Sequence, residues 1–501
     1  MKTDRRKCGV LLPMTSLPSR FGIGDMGPGA LRFAEFLQGA GQSLWQVLPL
    51  TATDAGCAHS PYSPASAFAG SGLLISPEGL MEDGFLSQED LDSAPNFSND
   101  RVDYGAAGAF KATLLQRVWA QFHRGGESAD FKAFCQSQGE WLEDWSLFIS
   151  IKGAMGGLAW RDWPDGLKFR RPQDLDRFRR DHNGDIGLQN FIQYVFARQM
   201  SVLRRRMAEL KLELVGDVPV YVMGDCADVW AHPDLFDLDE DLNFVSVAGV
   251  PPDYFSAKGQ LWGNPTYNWE AMRRDGFRWW TGRLRRLLTF FDRVRIDHFR
   301  GLIAYWALPA DAETAEHGEW RSVPHREFFS ALRSEFPNAP FWAENLGILT
   351  PEVEEARTAM GLPGMTILHF AFGHPSDNPY APHNHTPGTV VYTGTHDNNT
   401  SRGWLMADAT PWERANLSAY LGCEVTAGSV SGVMTRMALA SVAETAVIPM
   451  QDWLDLGPEA RINTPSTTAG NWTWRMKPGA ITPDLTQRMR SLCELYGRTG
   501  A

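Results

Sequence analysis

Three carboxylates follow strand-like segments and are candidates for nucleophilic and acid–base chemistry. Asp297 lies in RVRIDHF, Glu344 in FWAENLG and Asp397 in YTGTHDN. Each comes after an apolar run and before polar or glycine-containing sequence, which is where the rim of a parallel barrel places catalytic side chains. Cleavage of a glycosidic bond needs such a set. One carboxylate attacks the sugar and a protonated one supplies a proton, while a third can hold hydroxyl groups.

Neighbouring residues bear on whether these carboxylates are catalytic or structural. Any one of the three carboxylates could instead cap a helix or pair with Arg295 or Arg300. The occurrence of three together, with a histidine after Asp297 and another before Asp397, favours a functional site. Arg295 alternates onto the same strand face as Asp297 and should lower the pKa of that carboxyl. Glu344 must stay protonated to act as an acid, so we expect apolar or acidic surroundings to raise its pKa.

The elements that would position these residues are short apolar runs bounded by polar residues, glycine or proline, a pattern typical of buried strands. Amphipathic helical patterns lie between most of them, for example at 28–40 and 188–210. Eight strands alternating with helices predict an α/β fold, a closed parallel (β/α)8 TIM barrel. The predicted strands are 9–13, 44–50, 214–222, 293–299, 340–346, 365–372, 389–395 and 445–450.

Two connections are too long to be simple crossovers between barrel strands. They span about 51–187 and 223–275. Because the loops at the C-terminal ends of barrel strands build the active site, we expect these insertions to form subdomains around the cleft. Residues 1–501 would then be a single catalytic barrel with two inserted subdomains.

Composition narrows the class of protein and its partners. The 501 residues carry a net charge of −12, with 43% hydrophobic and 21% charged residues. This is a globular composition, and its acidity argues against nucleic acid or an anionic membrane as a partner. Six scattered cysteines without a CxxC pair predict reduced thiols, a cytoplasmic location and no structural zinc. The 19 tryptophans would partly fill the core and partly stack on flat ligands such as sugar rings.

The segment GIGDMG at residues 22–27 matches a dinucleotide-binding fingerprint only in its spacing. Seven residues separate the preceding strand region from this segment, and the next strand ends in LPL, without an acidic residue to hold a ribose. We therefore predict no nicotinamide site. The chemistry outlined above needs neither redox nor metal assistance, so we predict no cofactor and no metal.

Longer segments around the carboxylates resemble the signature sequences of the 4-α-glucanotransferases, also called amylomaltases or disproportionating enzymes (glycoside hydrolase family 77). The resemblance implies an enzyme that transfers a segment of an α-1,4-glucan to the 4-hydroxyl of an acceptor glucose or maltodextrin, without a cofactor. The similar segments extend from about residue 9 to 475 and include RVRIDHFRG, AENLG, YTGTHDNNT, SPYSPASAFAG, GDVPVYV, VAGVPPDYFSAKGQLWGNPTYNW and EARINTPSTTAGNWTWR.

The resemblance also implies roles by position. Asp297 would be the nucleophile, Glu344 the general acid and base, and Asp397 the stabiliser of the transition state. Residues 251–265 would form a flexible lid that carries Tyr254 and Phe255, with Trp262 and Asn264 at its base. The implied substrate-binding residues are Tyr62, Asp217, Arg295, His396, Tyr254, Phe255, Trp262, Asn264 and Asn463.

The implied mechanism is double displacement with net retention, which predicts a separation of about 5–5.5 Å between the carboxyl groups of Asp297 and Glu344. Two other functions stay open at this point. One is an α-amylase-type hydrolase, and the other is a non-catalytic glucan-binding protein on an inactive barrel, against which the intact carboxylate set argues. The sequence leaves the preferred chain length, cyclisation activity and oligomeric state undetermined.

Overall fold

The computed structural model describes residues 6–252, 258–347 and 349–499. These residues contain twelve strands in two sheets. The strands are β1 (Lys7–Leu11), β2 (Leu44–Gln46), β3 (Glu213–Val218), β4 (Ser246–Val250), β5 (Gln260–Pro265), β6 (Arg293–Ile296), β7 (Ala304–Pro309), β8 (Glu319–Ser322), β9 (Phe341–Ala343), β10 (Gly364–Ile367), β11 (Thr389–Tyr392) and β12 (Thr445–Pro449).

Eight of these strands form a parallel sheet in the order β10-β11-β12-β1-β2-β3-β6-β9. The two edge strands approach each other, because the N–H of Ala343 in β9 donates to Pro363 O at 2.9 Å. The N–H of Met365 in β10 donates to the side chain of Asn345 at 2.7 Å. The sheet therefore curls into a nearly closed barrel, and the predicted TIM-barrel fold is confirmed.

Every predicted barrel strand is present and starts within two residues of the predicted position, but each ends earlier than predicted. The second strand shows why. Its hydrogen-bonded ladder stops at Gln46, yet Val47, Leu48 and Leu50 beyond it are buried. Apolar sequence therefore continues into the barrel rim, where the chain turns away from the sheet, and hydrophobicity alone overestimates strand length.

Helices connect most of the barrel strands and pack on the outside of the barrel. The connection from β10 to β11, residues 368–388, instead contains two short 3-10 turns. The main helices are Pro28–Gly39, Pro77–Glu82, Tyr104–Arg124, Ala129–Ala154, Pro172–Asp181, Asn183–Glu209, Trp269–Arg274, Arg278–Leu288, His325–Glu335, Pro351–Ala359, Pro411–Leu421, Val430–Ala440 and Pro483–Leu495.

The barrel strands separate two hydrophobic clusters according to the alternation of their side chains. Leu11, Val215, Trp342 and Val447 belong to a compact inner cluster. Their strand neighbours, such as Val10 and Leu214, belong to the larger cluster under the outer helices.

The second sheet was not predicted from the sequence. It is antiparallel, with the order β5-β4-β7-β8, and combines strands from the long 223–275 connection with two strands that follow β6.

In the described part of the chain, no helix combines the length and the apolarity that crossing a membrane requires.

Candidate active site

The three carboxylates follow the C-terminal ends of three barrel strands, β6, β9 and β11. Asp297 directly follows β6 and Glu344 directly follows β9. The N–H of Glu344 donates to Ile296 O at 2.9 Å, while the N–H of Phe299 donates to Glu344 O at 3.0 Å. These bonds extend the β6–β9 pairing past the ladder and bring the two carboxylates to the same rim. Asp397 lies five residues beyond the end of β11, in an irregular segment.

A buried arginine joins two carboxylates beneath the cleft. The Nη1 of Arg295 donates to Asp217 Oδ2 at 2.6 Å, and its Nη2 donates to Asp297 Oδ1 at 2.8 Å. Burial raises the pKa of Asp217 to about 6, with a further contribution from the negative charge of Asp297. Burial alone would lower the pKa of Arg295, but the charges of Asp217 and Asp297 outweigh it and raise that pKa. The guanidinium therefore stays charged and fixes Asp297 from below.

Glu344 is held by two backbone donors on opposite sides. Its Oε2 accepts from the N–H of His298 at 2.7 Å, and its Oε1 accepts from the N–H of Leu346 at 2.9 Å. Desolvation and the charge of Asp297 raise the pKa of Glu344 to about 7, against the opposing effects of Arg295 and the two N–H groups. A fraction of Glu344 is therefore protonated near neutral pH, as the sequence interpretation requires of an acid.

Asp397 has the opposite electrostatic environment. Its Oδ1 accepts from Asn463 Nδ2 at 2.6 Å, and its Oδ2 lies 3.3 Å from His396 Nε2. Desolvation in the cleft opposes ionisation, but His396, the hydrogen bond from Asn463 and the charge of Arg295 outweigh it and lower the pKa of Asp397 well below its usual range. Asp397 is therefore an anion throughout the neutral range, and 44% of its side-chain surface stays open to the cleft.

Tyr62 belongs to the long 51–187 connection and lies at one side of this cluster. Its hydroxyl donates to Asp217 Oδ2 at 2.7 Å, and its ring stacks on His396 with a centroid distance of 4.9 Å and an interplanar angle of 12°. Trp472 lies beside both rings, and its ring centroid is 5.8 Å from that of Tyr62 and 6.1 Å from that of His396. An aromatic wall of this kind suits the flat apolar face of a sugar ring.

Trp262 and Asn264, two further predicted substrate-binding residues, both lie in β5. Trp262 meets the ring of His298 edge-on at 4.9 Å. Asn264 points back into the fold, where its Nδ2 donates to Val222 O at 2.7 Å, so it supports the strand from within the protein. Tyr254 and Phe255, which the resemblance assigns to the lid, lie outside the described residues.

The comparisons with known proteins agree with this geometry. The sequence profile of the family described as 4-alpha-glucanotransferase matches residues 12–482. The chain belongs to this family. A 4-alpha-glucanotransferase from Synechocystis sp. is 45% identical over 501 residues, covering 99% of this chain and 98% of the relative. One from Thermus thermophilus is 43% identical over 502 residues, covering 98% and 99% respectively.

A solved structure extends the similarity to three dimensions. An amylomaltase from Streptococcus agalactiae in complex with acarbose superposes with a TM-score of 0.95 at 33% identity, covering 99% of this chain and 100% of that chain. The predicted family and fold are thereby confirmed. So is the predicted enzyme class, transfer of α-1,4-glucan segments.

Three residues that contact the 4-α-glucanotransferase site were missing from the predicted set. Arg461 donates from Nη2 to Asp397 O at 2.8 Å and from Nε to Asn463 O at 2.7 Å. The ring of His298 packs against Trp262, and the backbone N–H of His298 donates to Oε2 of Glu344. Trp472 joins the aromatic wall. The adjacency of His298 to Asp297 was a usable signal, whereas the contacts of Arg461 depend on how its loop folds back.

The described residues contain no cluster of three or more His, Cys, Asp or Glu side chains suited to holding a metal ion.

Proposed function

We propose that Asp297 is the nucleophile, Glu344 the general acid and base, and Asp397 the transition-state stabiliser of a retaining glucan transfer. The observation that carries this assignment is the contrast among the three carboxyls. Glu344 has a pKa raised to about 7, Asp397 has a pKa lowered far below its usual range, and Asp297 is held by the buried Arg295. Environments that push carboxyl pKa values apart assign the acid and the anionic roles.

In the first step, Glu344 transfers its proton to the glycosidic oxygen while a carboxylate oxygen of Asp297 attacks the anomeric carbon. Because Arg295 holds Oδ1 of Asp297, we assign the attack to Oδ2. The bond between the anomeric carbon and the glycosidic oxygen breaks, and the leaving saccharide departs with a free hydroxyl. Asp397 and His396 hold hydroxyls of the reacting ring, through bonds that strengthen as the centre becomes oxocarbenium-like.

In the second step, the 4-hydroxyl of an acceptor sugar enters where the leaving saccharide was bound. The Glu344 carboxylate takes the hydroxyl proton, the oxygen attacks the anomeric carbon, and the bond to Asp297 breaks. Two inversions give net retention, for which the two carboxyl groups should be about 5–5.5 Å apart. This separation remains a prediction.

Transfer instead of hydrolysis requires that water be kept from the covalent intermediate. We assign this to the 251–265 segment, with Tyr254 and Phe255 as the residues that close over the sugar. The position of Trp262 beside His298 supports this assignment, because it places the base of that segment against the residue that follows Asp297.

Malto-oligosaccharides or longer α-glucans are the proposed donors and acceptors. The Streptococcus agalactiae amylomaltase was solved in complex with acarbose, which supports a saccharide as the ligand of this chain. The 51–187 and 223–275 segments would be subdomains that wall this cleft, since Tyr62 comes from the first and Trp262 from the second. A cytoplasmic location is consistent with six cysteines that are all free thiols.

Incubation with maltotriose tests the proposed reaction. We expect glucose and longer maltodextrins to form while the number of reducing ends stays constant. Rising reducing ends with only shorter products would instead indicate a hydrolase, and no products at all would indicate a binding protein.

Asp297→Asn tests the assignment of the nucleophile. It should lower kcat by on the order of 10³-fold or more, because the covalent step loses its attacking group. Unchanged turnover in this variant would refute the assignment.

A further inference from the structure

The segment 393–401, which carries His396 and Asp397, is held at both ends by one buried carboxylate. Asp452 lies in the short helix Met450–Trp453 directly after β12 and is 4% exposed. Its Oδ2 accepts from Thr393 Oγ1 at 2.5 Å and from Ser401 Oγ at 2.7 Å, and its Oδ1 accepts from the N–H of Ser401 at 2.7 Å. Asp452 therefore ties the first residue of the segment to the last.

A histidine from the preceding strand region closes the same loop from the other side. The N–H of His369 donates to Thr393 O at 3.2 Å, and its Nε2 lies 3.1 Å from Ser401 Oγ. The Ser401 hydroxyl donates its proton to Asp452, so it must accept from His369 Nε2–H, which fixes the tautomer of the ring. Burial, helped by the charge of Arg461, lowers the pKa of His369 to about 3, so the ring is neutral in the working range.

The ring of His369 fits a space that leaves little room for movement. It stacks on Trp404 with a centroid distance of 5.2 Å and an interplanar angle of 2°. Gly394 also lies against the ring, because an added Cβ there would be 2.6 Å from His369 Cε1. The residue directly after Thr393 is thus packed against the ring, and the backbone leading to His396 has little freedom.

We infer that Asp452 is a positioning residue for the transfer reaction. With Thr393, Ser401 and His369 it forms a buried clasp that sets the position of His396 and Asp397. This inference rests on the proposed role of Asp397, because the clasp acts on the substrate only through the segment it holds. A displacement of about 1 Å at a group that binds the transition state can cost on the order of 10²-fold in rate.

The clasp requires a carboxylate at residue 452. Three donors converge on two oxygens, and an ionised carboxylate accepts from all of them without having to place a proton of its own. In Asp452→Asn, the amide N–H₂ would face the hydroxyl of Ser401. This hydroxyl would then have to donate its proton to another acceptor. If Ser401 donated to His369 Nε2, the ring proton would move to Nδ1, which faces Gly394, and a buried N–H would lose its acceptor.

Steady-state kinetics with maltotriose tests the clasp. We expect Asp452→Asn to lower kcat roughly 10- to 100-fold, with KM changed less than about threefold, because the loss falls on the transition state. Thr393→Val keeps the side-chain shape, removes one hydroxyl and should lower kcat to a smaller extent. Thr393→Ser restores the hydroxyl and should restore kcat, so the inference stays testable even if Asp452→Asn fails to fold.

Glu213→Gln is the control for the loss of a partly buried, hydrogen-bonded carboxylate far from the site. Glu213 starts β3 at the opposite end of the barrel and accepts hydrogen bonds from Lys7 and Arg293 at 2.8 and 2.9 Å. This variant should lower Tm and leave kcat unchanged. If Asp452→Asn and Thr393→Val likewise lower Tm without lowering kcat, the clasp is merely structural and the inference fails.

A double-mutant cycle identifies the route of the effect. Asn463→Ala removes the hydrogen bond that holds Asp397 from its other side. If Asp452 also acts through Asp397, the fold loss in kcat of the double variant Asp452→Asn/Asn463→Ala should be smaller than the product of the two single-variant losses. If the two losses in kcat multiply in full, Asp452 does not act through Asp397, and the inference is overturned. Asp297→Asn separates the two proposals: if it abolishes turnover while the clasp variants keep full kcat, only the positioning inference fails.

Discussion

The backbone N–H of His298 donates to Oε2 of Glu344 at 2.7 Å, and His298 is the residue that follows Asp297 in the chain. The proposed nucleophile and the proposed acid are therefore linked through one peptide unit rather than through flexible side chains. His298 adopts a left-handed backbone conformation with φ of 46°. Such a conformation is uncommon for residues other than glycine and persists only where the surroundings enforce it.

The pH dependence of kcat/KM should reveal the raised pKa of Glu344. The free enzyme needs protonated Glu344 for the first step, so activity should fall as pH rises through about 7. The measurement is kcat/KM for maltotriose between pH 5 and pH 9 at constant ionic strength. Glu213→Gln, at the far end of the barrel, should show the same alkaline midpoint. A midpoint above roughly pH 8.5 would show that another group is the acid.

Replacement of Glu344 by Gln should remove the loss of stability that ionisation of this carboxyl causes as pH rises. The folded-state pKa of about 7 lies above the ordinary value of 4.5, so the folded enzyme binds more protons than the unfolded chain between these values. Stability therefore falls as pH rises from about 4.5 to about 7, and the loss persists above that range. Glu344→Gln removes this loss but sets an amide N–H₂ against one of the two backbone donors, at a cost that does not vary with pH. The difference in Tm between variant and wild type should therefore move in favour of the variant by roughly 1–4 °C between pH 4.5 and pH 8. A constant difference at every pH would contradict this origin.

Much of the barrel could be predicted from the sequence, because a buried parallel strand is a short apolar run between breakers. The starts of the strands followed from this pattern, as at Arg293 and Thr389, which were predicted correctly. The antiparallel sheet could not be predicted in the same way. Its strand β8, EWRS, is largely exposed and carries no apolar run, and its pairing with β7 depends on contacts that the local sequence does not encode.

The candidate site was predictable to a similar degree. Carboxylates directly after strands, such as Asp297 and Glu344, are visible because chain position alone places them at the rim. Arg461 illustrates the opposite case. It lies 64 residues from Asp397 in sequence and reaches the backbone of that residue only after the loop beyond β12 folds back over the barrel. Asn264 was predicted to bind substrate, but its side chain donates to Val222 O, and a role in binding remains a prediction.

Loss of the Asn463 amide should weaken catalysis through Asp397. The bond of 2.6 Å from Asn463 Nδ2 stabilises the ionised carboxylate. Hydrogen bonds to charged groups contribute about 1.5–3 kcal/mol, so Asn463→Ala should lower kcat/KM for maltotriose roughly 10- to 100-fold. Asn471→Ala is the matched control, because Asn471 bonds only to Thr464 and Thr467 of the same loop among the described contacts. Equal losses in the two variants would show that the loop as a whole matters, not the bond to Asp397.

Trp262 should influence the balance between transfer and hydrolysis more than the rate of either reaction. Its ring lies edge-on to His298 at 4.9 Å, at the base of the proposed lid and next to the residue that follows Asp297. Removing the ring in Trp262→Ala opens a path for water to the covalent intermediate, whereas Trp262→Phe keeps an aromatic ring in place. With maltotriose, total glucose release measures all turnover, and the increase in reducing ends measures hydrolysis alone. We expect the ratio of hydrolysis to total turnover to rise roughly threefold or more in Trp262→Ala and to stay near the wild-type value in Trp262→Phe. If both quantities fall in parallel in Trp262→Ala, the ring binds the saccharide without excluding water, and control of hydrolysis must be assigned to the segment that precedes it.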